Sequence, residues 1–241
     1  MKKVALVTGG TKGIGKGITL NLLKKGYKVV ATFASDYTNA DAMMQLLDIE
    51  EGMLLIRRCN LSVIDDLYDL IDYVKGITDH LDCLVCNAGS TIRKDFQMVS
   101  DEDWQEVMQV TVNSNFTLVR EFKSIIPNAS RLIFIGSMMG VYPHASNVVY
   151  GVSKAAVHAL ALNLVKEFEY TDTTINVIVP GFVETEWQKD KPQHIRESIY
   201  SKTAVSRFAT VSEIVSAFDF CLNNGFVNGA LLEVSGGYNY K

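Results

Sequence analysis

Lys3-Val4-Ala5-Leu6-Val7-Thr8-Gly9-Gly10-Thr11-Lys12-Gly13-Ile14-Gly15 is the stretch on which the reading of the chain turns. Lys3–Thr8 is a short apolar run and reads as a buried strand. Gly9, Gly13 and Gly15 follow it with the spacing G-x-x-x-G-x-G. Ile18, Leu22 and Leu23 then recur at helical spacing over Gly15–Lys25. Glycine tolerates positive φ and lets a backbone approach a ligand closely. A helix that starts at such a turn offers free N–H groups and a positive dipole end to an anion. Tight turns need glycine anyway, so the motif alone is weak. Between a strand and a helix at the start of an α/β chain it points to the pyrophosphate of a dinucleotide. The residues expected to contact it are Gly9, Thr11, Lys12, Gly13, Ile14 and Gly15.

Outward from this unit the alternation continues. Strands are predicted over 28–33, 53–58, 82–86, 131–136, 175–179 and 230–234, with helices over 64–74, 104–122, 150–168 and 213–222. Such a sequence implies an α/β fold: a single-domain, Rossmann-type, doubly wound parallel sheet of about seven strands with helices on both faces. The continuous apolar run Leu132-Ile133-Phe134-Ile135 fits a strand covered on both sides. No linker, repeat or low-complexity tract divides residues 1–241. Asp190-Lys191-Pro192-Gln193 is the most loop-like polar segment, ahead of a short helix. Ligands in open α/β sheets sit beyond the carboxyl ends of the strands, so it reads either as a lid or as an ordinary surface loop.

Bulk properties narrow the function. With 23 basic and 27 acidic residues the net charge is −4, which gives no reason to expect nucleic acid or an anionic membrane as partner. No stretch reads as a bilayer span. The apolar start after Met1-Lys2-Lys3 is broken by Gly9-Gly10, so no export signal and a cytoplasmic location are expected. Cys83 and Cys86 form a C-x-x-C, but within a strand an odd separation sends the thiols to opposite faces. His80, His158 and His194 have no ligand spacing with carboxylates or thiols, and no metal site is expected.

The end of the second strand bears on the cofactor. An acidic residue there holds the ribose hydroxyls of NAD; its absence beside a cation admits the 2′-phosphate of NADP. Phe33 stands at the acidic position, with Lys12 in the glycine turn and Ser35 as a hydrogen-bond donor. NADP(H) is therefore favoured over NAD(H), although Asp36 complicates this reading if the strand runs longer, and Lys12 has a solvated alternative.

Tyr150-Gly151-Val152-Ser153-Lys154 places a phenol and an ammonium one helical turn apart, facing one cleft. A free tyrosine, with a pKa near ~10, is a poor acid at neutral pH, and a neighbouring cation lowers that value. So tuned, it can donate a proton to a carbonyl oxygen or take one from an alcohol. Ser137, after the fifth strand, can orient the same oxygen. Alone, Y-x-x-x-K is common on solvated helices; its weight comes from standing with Ser137 and the glycine turn.

These motifs together resemble the short-chain dehydrogenase/reductase family over essentially the whole chain. Thr8–Gly15 matches the family's cofactor turn. Cys86-Asn87-Ala88-Gly89 matches its N-N-A-G segment with the first Asn replaced, and Asn60-Leu61 match the adenine contacts after the third strand. Ser137, Tyr150 and Lys154 match the catalytic serine, tyrosine and lysine, and Pro180-Gly181-Phe182-Val183-Glu184-Thr185 matches the segment beside the nicotinamide. The resemblance implies that Val183 and Thr185 bind the carboxamide and that Lys154 also holds the nicotinamide ribose. It further implies a homotetramer paired through helices 104–122 and 150–168. Within the family the likeness is to 3-oxoacyl-[acyl-carrier-protein] reductases of fatty acid biosynthesis, which would make the substrate an acyl thioester or a small ketone.

One position departs from the family. Its catalytic Asn, which bends the fourth helix and fixes a water beside the lysine, aligns with Thr111. Asn113 lies about 200° around an ideal helix and cannot substitute without a bulge. Either Thr111 replaces the Asn, or the helix is irregular, or the proton relay is impaired. His144, Asn147, Trp187 and Gln188 are candidates for the substrate pocket, His144 being equally an exposed loop residue. Trp104, Phe116 and Phe122 are expected to pack against the sheet or a partner subunit. Three functions compete: an NADPH-dependent carbonyl reductase, an NAD-linked sugar or polyol dehydrogenase, and a cofactor-binding sensor without turnover.

Overall fold

The structure is a computed structural model, and it describes residues 2–46, 49–144, 147–238 and 240. Seven parallel strands form one sheet in the order β3-β2-β1-β4-β5-β6-β7. They are β1 Val4–Val7, β2 Lys28–Phe33, β3 Leu54–Arg58, β4 Cys83–Cys86, β5 Arg131–Ile135, β6 Thr174–Pro180 and β7 Leu231–Val234. The order reverses between β1 and β4, which opens a crevice at the carboxyl ends of those strands.

Alternation along each strand builds two cores. Leu6, Leu84, Cys86, Leu132 and Phe134 point to one face, where Leu67, Leu70 and Val74 of helix α3 (Ile64–Ile77) cover them. Ala5, Val7, Cys83, Val85 and Ile133 point to the other, against Ile18 and Leu22 of α1 (Gly13–Lys24). Cys83 and Cys86 thus lie on opposite faces, as their odd spacing requires. Burial pushes the Cys83 thiol up to about 12, which leaves it without nucleophilic character.

Two helices were not delimited by the sequence reading. α2 (Tyr37–Met44) buries only Ala40 and Met43, too little apolar surface to mark it, and is started instead by the Asp36 cap. The fourth helical stretch begins earlier than predicted, at a Ser100–Asp103 capping box, as α4 (Asp101–Met108). It passes through a π-helical stretch, Gln109–Asn113, into α5 (Ser114–Phe122). The helix irregularity is thus present, without the family Asn. Phe122 is buried in the core, whereas Trp104 and Phe116 are about half exposed.

Helix α6 (Val148–Leu164) continues in a 3-10 turn over Val165–Phe168. The reading that no stretch could span a bilayer needs one correction: Val148–Phe168 is long and apolar enough, with a mean hydropathy of 1.5. Val157 and Ala161 pack it against the sheet, and it carries the buried polar groups Lys154 and His158; only a third of its apolar window is buried, and Val148, Val152 and Leu162 are exposed. The short helix anticipated after Pro192 is α7 (Gln193–Lys202), and α8 (Val211–Asn223) packs on α1.

Candidate active site

The glycine turn is held in shape by Thr8 and Asn87. The Thr8 hydroxyl accepts the backbone N–H groups of Asn87 and Ala88, each at 3.0 Å. The Asn87 amide donates back to the carbonyls of Thr8 (2.9 Å) and Gly9 (3.1 Å). Gly9 adopts φ +62°, a left-handed conformation that other residues take only at a cost. Gly15 is glycine for another reason: a Cβ there would sit 2.1 Å from the Gly9 carbonyl oxygen. The close-walled cradle so formed opens on the N-terminus of α1, whose first N–H groups have no partner within the helix. These residues fit a pyrophosphate.

At the far end of the cradle, Lys12 Nζ lies 3.2 Å from the Asp36 carboxylate. Asp36 accepts from the backbone N–H and side-chain amide of Asn39, and from Lys12. Those donors, Asn39 first, hold its carboxyl below the usual range. Phe33 packs edge-on against Tyr37 at 5.1 Å. The Asp36 carboxylate therefore spends its lone pairs on the start of α2 and on Lys12.

Across the crevice, α6 carries Tyr150 and Lys154. Lys154 Nζ donates to the Ile135 carbonyl at 2.7 Å and stands 5.7 Å from the Tyr150 ring centroid. Burial pushes the lysine down to about 8. The expected lowering of the phenol is not found. Burial raises Tyr150 above its ordinary value, while a hydrogen bond with Ser137 pulls the other way. The lysine charge is turned to a backbone carbonyl, so desolvation dominates.

His158 is a functional neighbour that sequence reasoning missed. Its Nε2 accepts the Ser137 backbone N–H at 3.3 Å, so the ring proton is on Nδ1. Burial, then Lys154, pushes this imidazole down to about 4, and it stays a neutral acceptor near pH 7. Its closeness to Gly136, where an added Cβ would be 2.3 Å from Nε2, shows how tightly the turn carrying Ser137 is seated. No spacing rule could have paired residues 137 and 158 in this way.

Thr111 is fully buried in the π stretch, and its hydroxyl accepts the Ser90 N–H at 3.2 Å. A Cβ on Gly89 would lie 3.4 Å from Lys154 Nζ and 3.8 Å from Thr111 Oγ1, which puts the hydroxyl on the lysine's side of that loop. Asn113 is exposed and donates to Gln109, so it does not replace the family Asn. Asn115 was overlooked: its buried amide donates to the Thr111 carbonyl at 2.8 Å.

One cavity of about 380 Å³ joins these parts. Of the residues predicted for the site, Gly9, Thr11, Lys12, Gly13, Ile14, Gly15, Ser35, Asn60, Leu61, Asn87, Ala88, Gly89, Ser137, Tyr150, Lys154, Pro180, Gly181, Val183 and Thr185 all line it. Thr111 does not, and stands behind Gly89 and Lys154. Asn147, Trp187 and Gln188 line it as well, Trp187 lying edge-on to Tyr150 at 6.4 Å. His144 is beside Phe182 at 6.4 Å, off the cavity wall. Residues 145 and 146 of that predicted pocket segment lie outside the described residues. No cluster of three or more metal-ligating side chains occurs among the described residues.

The buried ammonium has a measurable cost. Lys154 loses its proton near 8 in the folded chain and near ~10.4 when unfolded. The unfolded state holds more protons between those values, so this group makes stability rise with pH across that window. Relative to Lys154→Met, which has no such proton, the wild type is expected to gain about 3 kcal/mol between pH 7 and 10.5. Urea unfolding of both proteins across that range checks it; parallel stability curves would contradict it.

Comparison with known proteins agrees with the geometry. The profile of the short chain dehydrogenase family matches residues 3–196. A 3-oxoacyl-[acyl-carrier-protein] reductase of Haemophilus influenzae is 30% identical over 240 residues, covering 98% of this chain and 97% of that protein. An acetoacetyl-CoA reductase of Allochromatium vinosum is 31% identical over 242 residues, covering 98% of each. The Pseudomonas aeruginosa RhlG/NADP active-site complex superposes with a TM-score of 0.89 at 26% identity, covering 98% of this chain and 96% of that one. The chain belongs to the short-chain dehydrogenase/reductase family and is an NAD(P)-dependent oxidoreductase.

Proposed function

We propose that the protein is an NADPH-dependent reductase that turns the carbonyl of a 3-oxoacyl thioester or small ketone into an alcohol, with Tyr150 as proton donor. The observation that carries this reading is the single cavity lined by both the glycine cradle and Ser137, Tyr150 and Lys154. Two relatives at about this identity are named as reductases of 3-oxoacyl thioesters.

A nicotinamide held here would supply a hydride to the carbonyl carbon. The protein does the rest. Of the cavity-lining residues, those of the glycine turn and the start of α1 would hold the pyrophosphate, Asn60, Leu61 and Ala88 would flank the adenosine, and Pro180, Gly181, Val183 and Thr185 would flank the nicotinamide. Ser137 hydrogen-bonds the substrate oxygen, and Tyr150 gives it the proton that turns the alkoxide into an alcohol. Lys154 would hold the ribose, with the Thr111 hydroxyl behind it across Gly89. The exposed apolar side chains Trp104 and Phe116 on α4 and α5, and Val152 and Leu162 on α6, support assembly through these helices into a homotetramer.

The NADPH preference rests on Lys12 turning from Asp36, with which it is paired at 3.2 Å, to a 2′-phosphate, while the backbone N–H and amide of Asn39 keep the carboxylate occupied. Oxidation of NADPH and NADH across a panel of ketones, acyl thioesters and sugars tests the reading. NADPH should be favoured at least tenfold in kcat/KM, and Lys12→Ala should reduce that ratio about tenfold, the worth of a charge-assisted hydrogen bond. Equal use of NADH would refute the cofactor assignment; an inert panel would refute the reductase.

A further inference from the structure

Two loops meet at the mouth of the cavity, beyond the carboxyl ends of β4 and β6. One carries Arg93, which lines the cavity. The other carries Lys191, whose Nζ stands 5.7 Å over the ring of Phe182, itself a lining residue. Of the neighbouring cations, Arg196 pairs with Glu184, and Lys94 pairs with Asp103 at 2.6 Å. Arg93 and Lys191 have no carboxylate within 4.0 Å among the described residues. The carboxylate that also lines the cavity near the active end, Glu186, is turned to Gly13, 3.9 Å from where a Cβ there would lie.

Lys191 is partly buried, and burial, then Arg93 and Arg196, hold its ammonium below the ordinary lysine value. Cations brought together and partly stripped of water repel each other; an anion between them removes that cost. We infer that Arg93 and Lys191 bind an anionic group of the substrate, a carboxylate or phosphate at the end remote from the reacting carbonyl. This rests on the reductase reading and narrows it: the substrate is a small oxo acid or oxo phosphate, and Phe182 supplies the apolar floor between its charge and its carbonyl.

The test pairs each charged ketone with a neutral twin. NADPH oxidation is followed with 4-oxopentanoate, 5-oxohexanoate and 6-oxoheptanoate against their methyl esters, and with dihydroxyacetone phosphate against dihydroxyacetone. At one chain length or for the phosphate, the charged member should be favoured about tenfold or more in kcat/KM. The Arg93→Ala, Lys191→Ala double variant should bring that ratio to within about twofold, with its folding checked by thermal denaturation. Which pair shows the preference separates carboxylate from phosphate. Neutral members turned over equally well throughout, or a preference that survives loss of both cations, overturns the inference while the reductase stands. If none of these compounds, nor any acyl thioester, is reduced, both fall together.

Discussion

Tyr150→Phe is expected to lower the turnover number about a thousandfold, the middle of the range for general acid catalysis, while the NADPH dissociation constant stays within about threefold. The phenol oxygen lies on the cavity wall toward the Ser137 hydroxyl, and the substitution removes that oxygen alone. At 1.36 kcal/mol per decade the loss is about 4 kcal/mol of barrier. The ring keeps its contact with Trp187, and the glycine cradle is untouched, so cofactor binding should persist. The pH profile supplies an independent sign. Burial keeps the phenol protonated through neutral pH, the form that reduction needs. Lys154 is cationic below about 8 and neutral above it. The wild-type rate of carbonyl reduction should therefore be level near pH 7 and fall above about 8. Stopped-flow NADPH oxidation by wild type and variant decides both points, and a variant of near wild-type turnover would remove Tyr150 from the chemistry.

What was legible in advance divides by the range of the interaction. The strands announce themselves through consecutive apolar residues, and β2 has the predicted limits, with Val29 and Val30 turned to opposite cores. The site motifs were legible because the family resemblance adds them to a local pattern: Tyr150 and Lys154 lie one helical turn apart, and Gly9–Gly15 is contiguous. The π stretch at Thr111 was left open because it depends on how Ser114 and Asn115 reach back to earlier carbonyls, which no apolar period records. The acceptor role of His158 and the pairing of Lys12 with Asp36 depend on folded backbone geometry. Arg93 and Lys191 are about a hundred residues apart and meet only because β4 and β6 end at the same edge of the sheet. The lowering of the Tyr150 phenol failed as an expectation because it weighed the lysine's charge and left out the burial that both groups share.

Gly15→Ala should destabilise the fold by about 3 kcal/mol and weaken NADPH binding at least a hundredfold, although alanine is the better helix former. Inside α1 the exchange alone would favour folding by about 0.8–1.0 kcal/mol. Against this, the new Cβ would lie 2.1 Å from the Gly9 oxygen and 2.6 Å from the Asn87 amide nitrogen. Neither neighbour can yield cheaply. The Gly9 oxygen is backbone, and Asn87 is tied to both Thr8 and Gly9 by the hydrogen bonds that shape the turn. Overpacking against such a wall costs about 1–3 kcal/mol or more and outweighs the helix preference. Relief requires the turn to move outward, into the space the pyrophosphate needs, which is why affinity falls with stability. Gly26→Ala provides the contrast. Gly26 has φ +81° with nothing within 4 Å of a Cβ, so its substitution should cost about 1 kcal/mol of backbone strain and leave NADPH affinity alone. Chemical denaturation and fluorescence titration of the two variants separate the effects. If Gly15→Ala bound NADPH like the wild type, the cradle would not be where the dinucleotide sits.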